Sequence, residues 1–93
     1  MSAEIPELLE RAATELKAAG ATEVYTFGSA SKGTAGITSD LDLAVSGLPP
    51  SIFYRTAARL SELLGRSVDL IDLDRATPFT RYLRQEHELI RLG

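Results

Sequence analysis

An α/β (α+β) domain, a small sheet covered by helices, is the fold class this sequence predicts, and three observations predict it. Leucine and alanine recur at three-and-four spacing in two stretches, over residues 6–19 and 50–64. Between and after them lie three short runs with strand character, at 22–27, 40–46 and 67–73. No internal repeat, linker or low-complexity tract breaks the 93 residues, so residues 1–93 are expected to form one layered domain.

Each element has its own signal. In the first helix apolar residues stand at 8, 9, 12, 13, 16 and 19; Pro6 suits its first turn and Gly20 its left-handed stop. Thr22 to Phe27 is β-branched and aromatic, half of it is expected to be buried, and Gly28 ends it. A stretch rich in Gly, Ala, Ser and Thr follows, in which Ser31, Gly33, Thr34 and Gly36 read as loop residues, and then the strand "DLDLAVS". Pro49-Pro50 closes that strand and opens the second helix, whose apolar positions are 52, 53, 57, 60, 63 and 64, with Gly65 as its stop. "SVDLIDL" is the third strand, and Thr77-Pro78 reads as N-cap and first residue of a helix to about residue 87. The tail "HELIRLG" fits either a continued helix or a short strand.

Composition narrows the function classes. Hydrophobic residues make up 44% and charged residues 25% of the chain, the balance of a globular protein rather than a disordered one. Without cysteine there are no disulfides and no thiolate zinc sites. Met1-Ser2-Ala3-Glu4 has no apolar run and reads as no signal peptide, and no apolar stretch approaches the roughly 20 residues of a membrane span, so the expected location is cytoplasmic. A net charge of −3 supplies no general field for nucleic-acid backbones. Arg75, Arg81, Arg84 and Arg91, interleaved with Glu86 and Glu88, read as a solvated face or a partner surface.

The chemistry is concentrated in the second and third strands. Strands deplete aspartate, yet Asp40 and Asp42 stand two apart in one, hence on one face with Cα atoms about 6.5–7 Å apart, while Leu41, Leu43 and Val45 point to the core. Two carboxylates held this close repel unless a cation lies between them, and hard oxygen ligands are what Mg²⁺ takes when substrate phosphates complete its octahedron. In the third strand Asp69 alternates with Val68 and Leu70 and so also faces away from the core. Asp72, in the core-facing set, and Asp74, beyond the strand, compete for the same role; Asp69 is preferred. Three acids on two strands can hold two divalent ions about 3.5–4 Å apart, an arrangement suited to phosphoryl chemistry. Gly28-Ser29, directly after the first strand, lets a ligand approach the backbone and offers a hydroxyl and N–H groups to phosphates. Lys32 reads either as an added positive charge in that cradle or as an ordinary exposed lysine.

Gly28-Ser29, ten intervening residues, then Asp40-Leu41-Asp42, flanked by Phe27 and Leu43, resembles the pattern of the nucleotidyltransferase superfamily of the DNA polymerase β type, in its minimal form, the MNT domain. Asp69 fits the later acid of that pattern, and the order of elements follows it over nearly the whole chain. Where many members carry an arginine-glycine pair in the loop, this chain has Lys32-Gly33, which keeps a charge and loses the bidentate fork. The resemblance implies a small mixed β-sheet covered by helices on one face, the polymerase β-like palm fold. It also implies transfer of a nucleotide from a nucleoside triphosphate to a hydroxyl, with two Mg²⁺ ions and ATP as donor. Asp40, Asp42 and Asp69 would be the catalytic, metal-binding acids, with Asp69 nearest the acceptor, and Gly28 and Ser29, joined by Lys32, would steady the terminal phosphates.

A chain of this length leaves no room for an acceptor-gripping domain, which makes it similar to the antitoxin half of HEPN/MNT toxin–antitoxin pairs. The implied partner is a HEPN-type RNase toxin, and the implied reaction transfers AMP to a tyrosine on it. A second reading is an antitoxin with weak or no activity that neutralises its partner by occlusion; a third keeps the enzyme but gives it a small-molecule acceptor, as in aminoglycoside nucleotidyltransferases. His87, the only histidine, reads as a surface or interface residue, and Phe53, Phe79 and Tyr82 as core or partner-facing side chains. No purine-binding aromatic stands out in the sequence.

Overall fold

The leucine and alanine spacing near the N-terminus becomes α1 (Glu4–Ala18), which buries Ala12, Ala13 and Leu16 and leaves Leu8 and Leu9 half-buried at the edge of the same cluster. The structure is a computed structural model and describes residues 4–27, 41–86 and 89–93. The helix stops in a Schellman motif: Ala21 N–H donates to the Leu16 carbonyl and Gly20 N–H to that of Lys17, with Gly20 at φ +120°, where a side chain would be strained.

Four strands follow: β1 (Glu23–Thr26), β2 (Leu41–Ser46), β3 (Val68–Asp72) and β4 (Ile90–Arg91). Their order in the sheet is β3-β2-β1-β4. β1 runs antiparallel to β2 and β4, whereas β2 and β3 are parallel, so the sheet is mixed, as expected. A parallel pair needs a crossover. Here it is a 3-10 turn at Pro50–Ile52 and α2 (Phe53–Leu64), which buries Thr56, Leu60 and Leu64. α3 (Pro78–Gln85) begins at Thr77, whose hydroxyl accepts from Thr80 N–H while the Thr80 hydroxyl accepts from Thr77 N–H, a reciprocal cap. The open choice for the tail resolves as a strand, because Leu89 to Gly93 returns along β1 and Leu92 N–H donates to the Val24 carbonyl.

Alternation along the strands divides the sheet into two unlike faces. Val24, Leu41, Leu43, Val45 and Leu70 form one, and they pack under α1 and α2 as the main core. This is the helix-covered face the sequence predicts. On the other face α3 lays Leu83 over Phe27, Ala44 and Leu73, a second and smaller core with Tyr25, Ile71 and Leu89 half-buried around it. Among the described residues no helix is long and apolar enough to cross a membrane.

Candidate active site

The candidate site lies on the smaller-core face, where β2 and β3 begin. Pairing of the parallel strands puts Asp42 directly opposite Asp69. Neighbouring strands lie about 4.8 Å apart and paired residues share a face, so the two side chains leave the sheet from neighbouring positions on the same side. Asp42 is half-buried and Asp69 exposed. The register is held from the opposite face, where Leu41 pairs with Val68 and Leu43 with Leu70, because a slip of one residue would turn those leucines to solvent.

The backbone of Asp42 is fixed from both sides. Its carbonyl accepts from Phe27 N–H at 3.2 Å and from the Thr26 hydroxyl at 3.0 Å. Thr26 is almost fully buried, so its hydroxyl must find a partner inside the fold, and the Asp42 carbonyl is that partner. On β2's other side, Leu41 N–H donates to the Ser67 carbonyl at 3.0 Å. The antiparallel register of β1 and β2, carried one residue past Thr26, places Phe27 opposite Asp42. Phe27, Asp42 and Asp69 therefore form one transverse row on this face. In the next row Tyr25, Ala44 and Ile71 are apolar or half-buried.

The competing acids are employed elsewhere. Asp72 pairs with Val45 on the main-core face, and its Oδ1 accepts from Asp74 N–H at 2.9 Å. Asp74 accepts from the Ser46 hydroxyl and from Gly47 N–H, both at 2.7 Å, tying the turn after β2 to the end of β3. Those two donors hold the Asp74 carboxyl below its ordinary range, the Ser46 hydroxyl having the larger effect. Sequence reasoning missed this tie; a serine-glycine at the end of one strand and an acid two residues past the end of its partner strand were its only trace. Gly47 itself sits at φ +85°, where an added Cβ would stand 2.5 Å from Thr22 Oγ1.

Tyr25 donates its hydroxyl to Glu23 at 2.7 Å, and that bond raises its pKa; Arg91 lies 3.9 Å from the same Glu23 carboxylate, so this edge of the sheet carries a small polar cluster. Arg75, Arg81, Arg84 and Arg91 are all exposed, in keeping with a solvated or partner-facing surface, and Arg84 reaches the Leu73 carbonyl at 3.4 Å. Phe53 packs half-buried against the main core, while Phe79 and Tyr82 are 45% and 53% exposed on α3. Phe79 meets the ring of Phe27 edge to face, centroids 5.9 Å apart. Two surface hollows lie along α1, one beside Leu92 and Gly93 and one beside Leu63, and neither is lined by Asp42 or Asp69.

Of the site residues expected from sequence, the structure brings Asp42 and Asp69 together. Gly28, Ser29, Lys32 and Asp40 lie outside the described residues, as do Ser31, Gly33, Thr34, Gly36 and His87. Among the described residues no group of three or more acidic or histidine side chains is gathered as a metal site. Paired carboxylates on adjacent strands are nevertheless a donor set that fits a hard divalent cation.

The chain resembles known proteins in both sequence and shape. Residues 12–91 match the family model for the polymerase beta nucleotidyltransferase domain. No curated protein sequence matches it. Among solved structures, a toxin–antitoxin complex with AMP-PNP is similar at 28% identity and a TM-score of 0.74, over 90% of this chain and 72% of the other. A minimal nucleotidyltransferase, so described, is 31% identical with a TM-score of 0.72, over 90% of this chain and 88% of the other. A complex of tri-AMPylated Shewanella oneidensis HEPN toxin with MNT antitoxin shares the fold at 24% identity and a TM-score of 0.71, over 96% of this chain and 71% of the other. A mixed sheet whose facing strands present paired acids, matched over most of its length by that family model, places this chain in the polymerase beta nucleotidyltransferase family.

Proposed function

We propose that this protein is a Mg²⁺-dependent nucleotidyltransferase that moves AMP from ATP to a hydroxyl on a partner protein, acting in the cytoplasm as the antitoxin to a HEPN-type RNase toxin. The observation that carries the catalytic part is the pairing of Asp42 with Asp69 across β2 and β3. Two acids at paired positions on one face of a sheet are a donor arrangement suited to a hard divalent cation, whose charge offsets their mutual repulsion. The partner is supported by likeness to chains of toxin–antitoxin complexes, one with AMP-PNP and one in which the HEPN toxin is tri-AMPylated.

In this reading Asp42 and Asp69, with Asp40 assigned on its sequence pattern, would hold two divalent ions. Those ions, when bound, neutralise the triphosphate and lower the pKa of the acceptor hydroxyl. Asp69, the more exposed of the described pair, lies on the side open to an acceptor and takes up the proton of its hydroxyl. Thr26 and Phe27 N–H keep the Asp42 backbone from shifting. Gly28, Ser29 and Lys32 are assigned to the terminal phosphates on their sequence pattern.

Incubating the protein with a co-expressed HEPN partner, labelled ATP and Mg²⁺ tests the reading. Label is expected on a tyrosine of the partner with wild type and absent with Asp42→Ala. Equal protection from the toxin by wild type and Asp42→Ala, with no label in either case, would instead select neutralisation by occlusion.

A further inference from the structure

The face that carries the acids also carries an aromatic pair for which the reading above has no use. Phe27 stands in the same transverse row as Asp42 and Asp69 and is itself only 7% exposed, so its ring is covered. What covers it in part is Phe79, in the first turn of α3, edge to face at 67°. Phe79 is 45% exposed although one edge of it meets Phe27, and Leu83, one turn further along α3, is buried over Ala44 and Leu73. The helix is therefore anchored by Leu83 and the reciprocal Thr77–Thr80 cap, and its Phe79 ring rests on Phe27, which shares a transverse row with the two acids. A rigid, half-open aromatic ring one side chain removed from a carboxylate pair is what a nucleobase needs when its phosphates are held at those carboxylates.

Resting on the nucleotidyltransferase reading of the Asp42–Asp69 pair, we propose that Phe79, braced by Phe27, is the platform on which the base of the bound nucleotide stacks. A phenyl ring offers no hydrogen-bond donor or acceptor, so this contact binds the base by its π-face and favours larger purines over pyrimidines without distinguishing adenine from guanine. Tyr82, on the same exposed side of α3, lies one turn nearer the helix C-terminus, beyond the ring that contacts Phe27, and is left to the protein surface.

Calorimetric titration of the full chain with ATP and with inorganic tripolyphosphate, each in Mg²⁺, tests the proposal. Phe79→Leu keeps apolar packing on Phe27 and removes the stacking ring; Phe79→Trp enlarges it. ATP is expected to weaken about tenfold or more in Phe79→Leu and to bind at least as tightly in Phe79→Trp, with tripolyphosphate unchanged in both. Urea unfolding of each variant identifies a loss of structure. Equal weakening of ATP and tripolyphosphate in Phe79→Leu, or no change in either, overturns the stacking role and leaves the acid site standing. Wild type that takes up neither ligand in Mg²⁺ overturns the acid site and the stacking role together.

Discussion

The two faces of the sheet are built from the same four strands and do opposite things. Under α1 and α2 every inward position of β2 is fully buried: Leu41, Leu43 and Val45 are each 0% exposed. On the other face the inward positions run Asp42, Ala44 and Ser46, so acid gives way to a small apolar patch and then to a hydroxyl that binds Asp74. The first face spends its residues on stability and register; the second uses that rigidity to hold Asp42 and Asp69 at neighbouring positions. The lesson is that a site with an unfavourable arrangement of charge is carried by the opposite side of the same strands.

If that division is correct, substitutions on the two faces should separate activity from stability. The largest effect is expected from Asp42→Asn, which should lower nucleotidyl transfer about a hundredfold or more in a labelled-ATP assay while leaving the fold intact by circular dichroism. Leu43→Ala, on the opposite face of the adjacent position, should cost about 3–5 kcal/mol in urea unfolding, since a fully buried leucine is lost and a cavity remains. Leu83→Ala in the smaller core should cost about 2–3 kcal/mol, at the low end of that range, because its neighbours Tyr25, Ile71 and Leu89 are half-buried and can relax. A larger loss for Leu83→Ala than for Leu43→Ala would reverse the ranking of the two faces.

The turn that joins them gives a smaller, pH-dependent effect. Asp74→Asn should cost about 1 kcal/mol at neutral pH, discounted for exposure, by weakening the bonds from Ser46 and Gly47. Because the folded-state pKa of Asp74 is lowered, its contribution is fully present above the unfolded value of about 3.9 and is lost as pH falls through the folded value. The gap between wild type and Asp74→Asn should thus be constant from neutral pH down to about pH 5 and close below about pH 4.

Much of this was legible in the residues. Three-and-four spacing located α1 and α2, Thr77-Pro78 located the start of α3, and period-two alternation separated Leu41, Leu43 and Val45 from Asp42 before any coordinates. Each of those signals is local, within one or two turns or a few strand residues. The tail was not legible, because β4 is two residues long and owes its form to the edge of β1 that receives it rather than to its own propensity. The structural duty of Asp74 was hidden for a related reason: its donors, Ser46 and Gly47, are 28 and 27 residues away. Nor did α3 announce which of its apolar side chains would be buried, since Phe79, Tyr82 and Leu83 satisfy helical spacing equally and only the contact with Phe27, Ala44 and Leu73 chose Leu83.

By itself, then, the order of residues determined which side chains share a face: alternation in an extended chain is a property of the backbone, and it sets Asp42 against its leucine neighbours wherever the strand lies. The tertiary structure alone decided the register that sets Asp69, the acid alternation already favoured, directly opposite Asp42. That outcome depends on the parallel register of β2 with β3, which is established across a crossover through α2 and locked by Leu41 against Val68 and Leu43 against Leu70. A shift of one residue would have cost those buried leucines, so packing on the core side selected the partner of a carboxylate on the other.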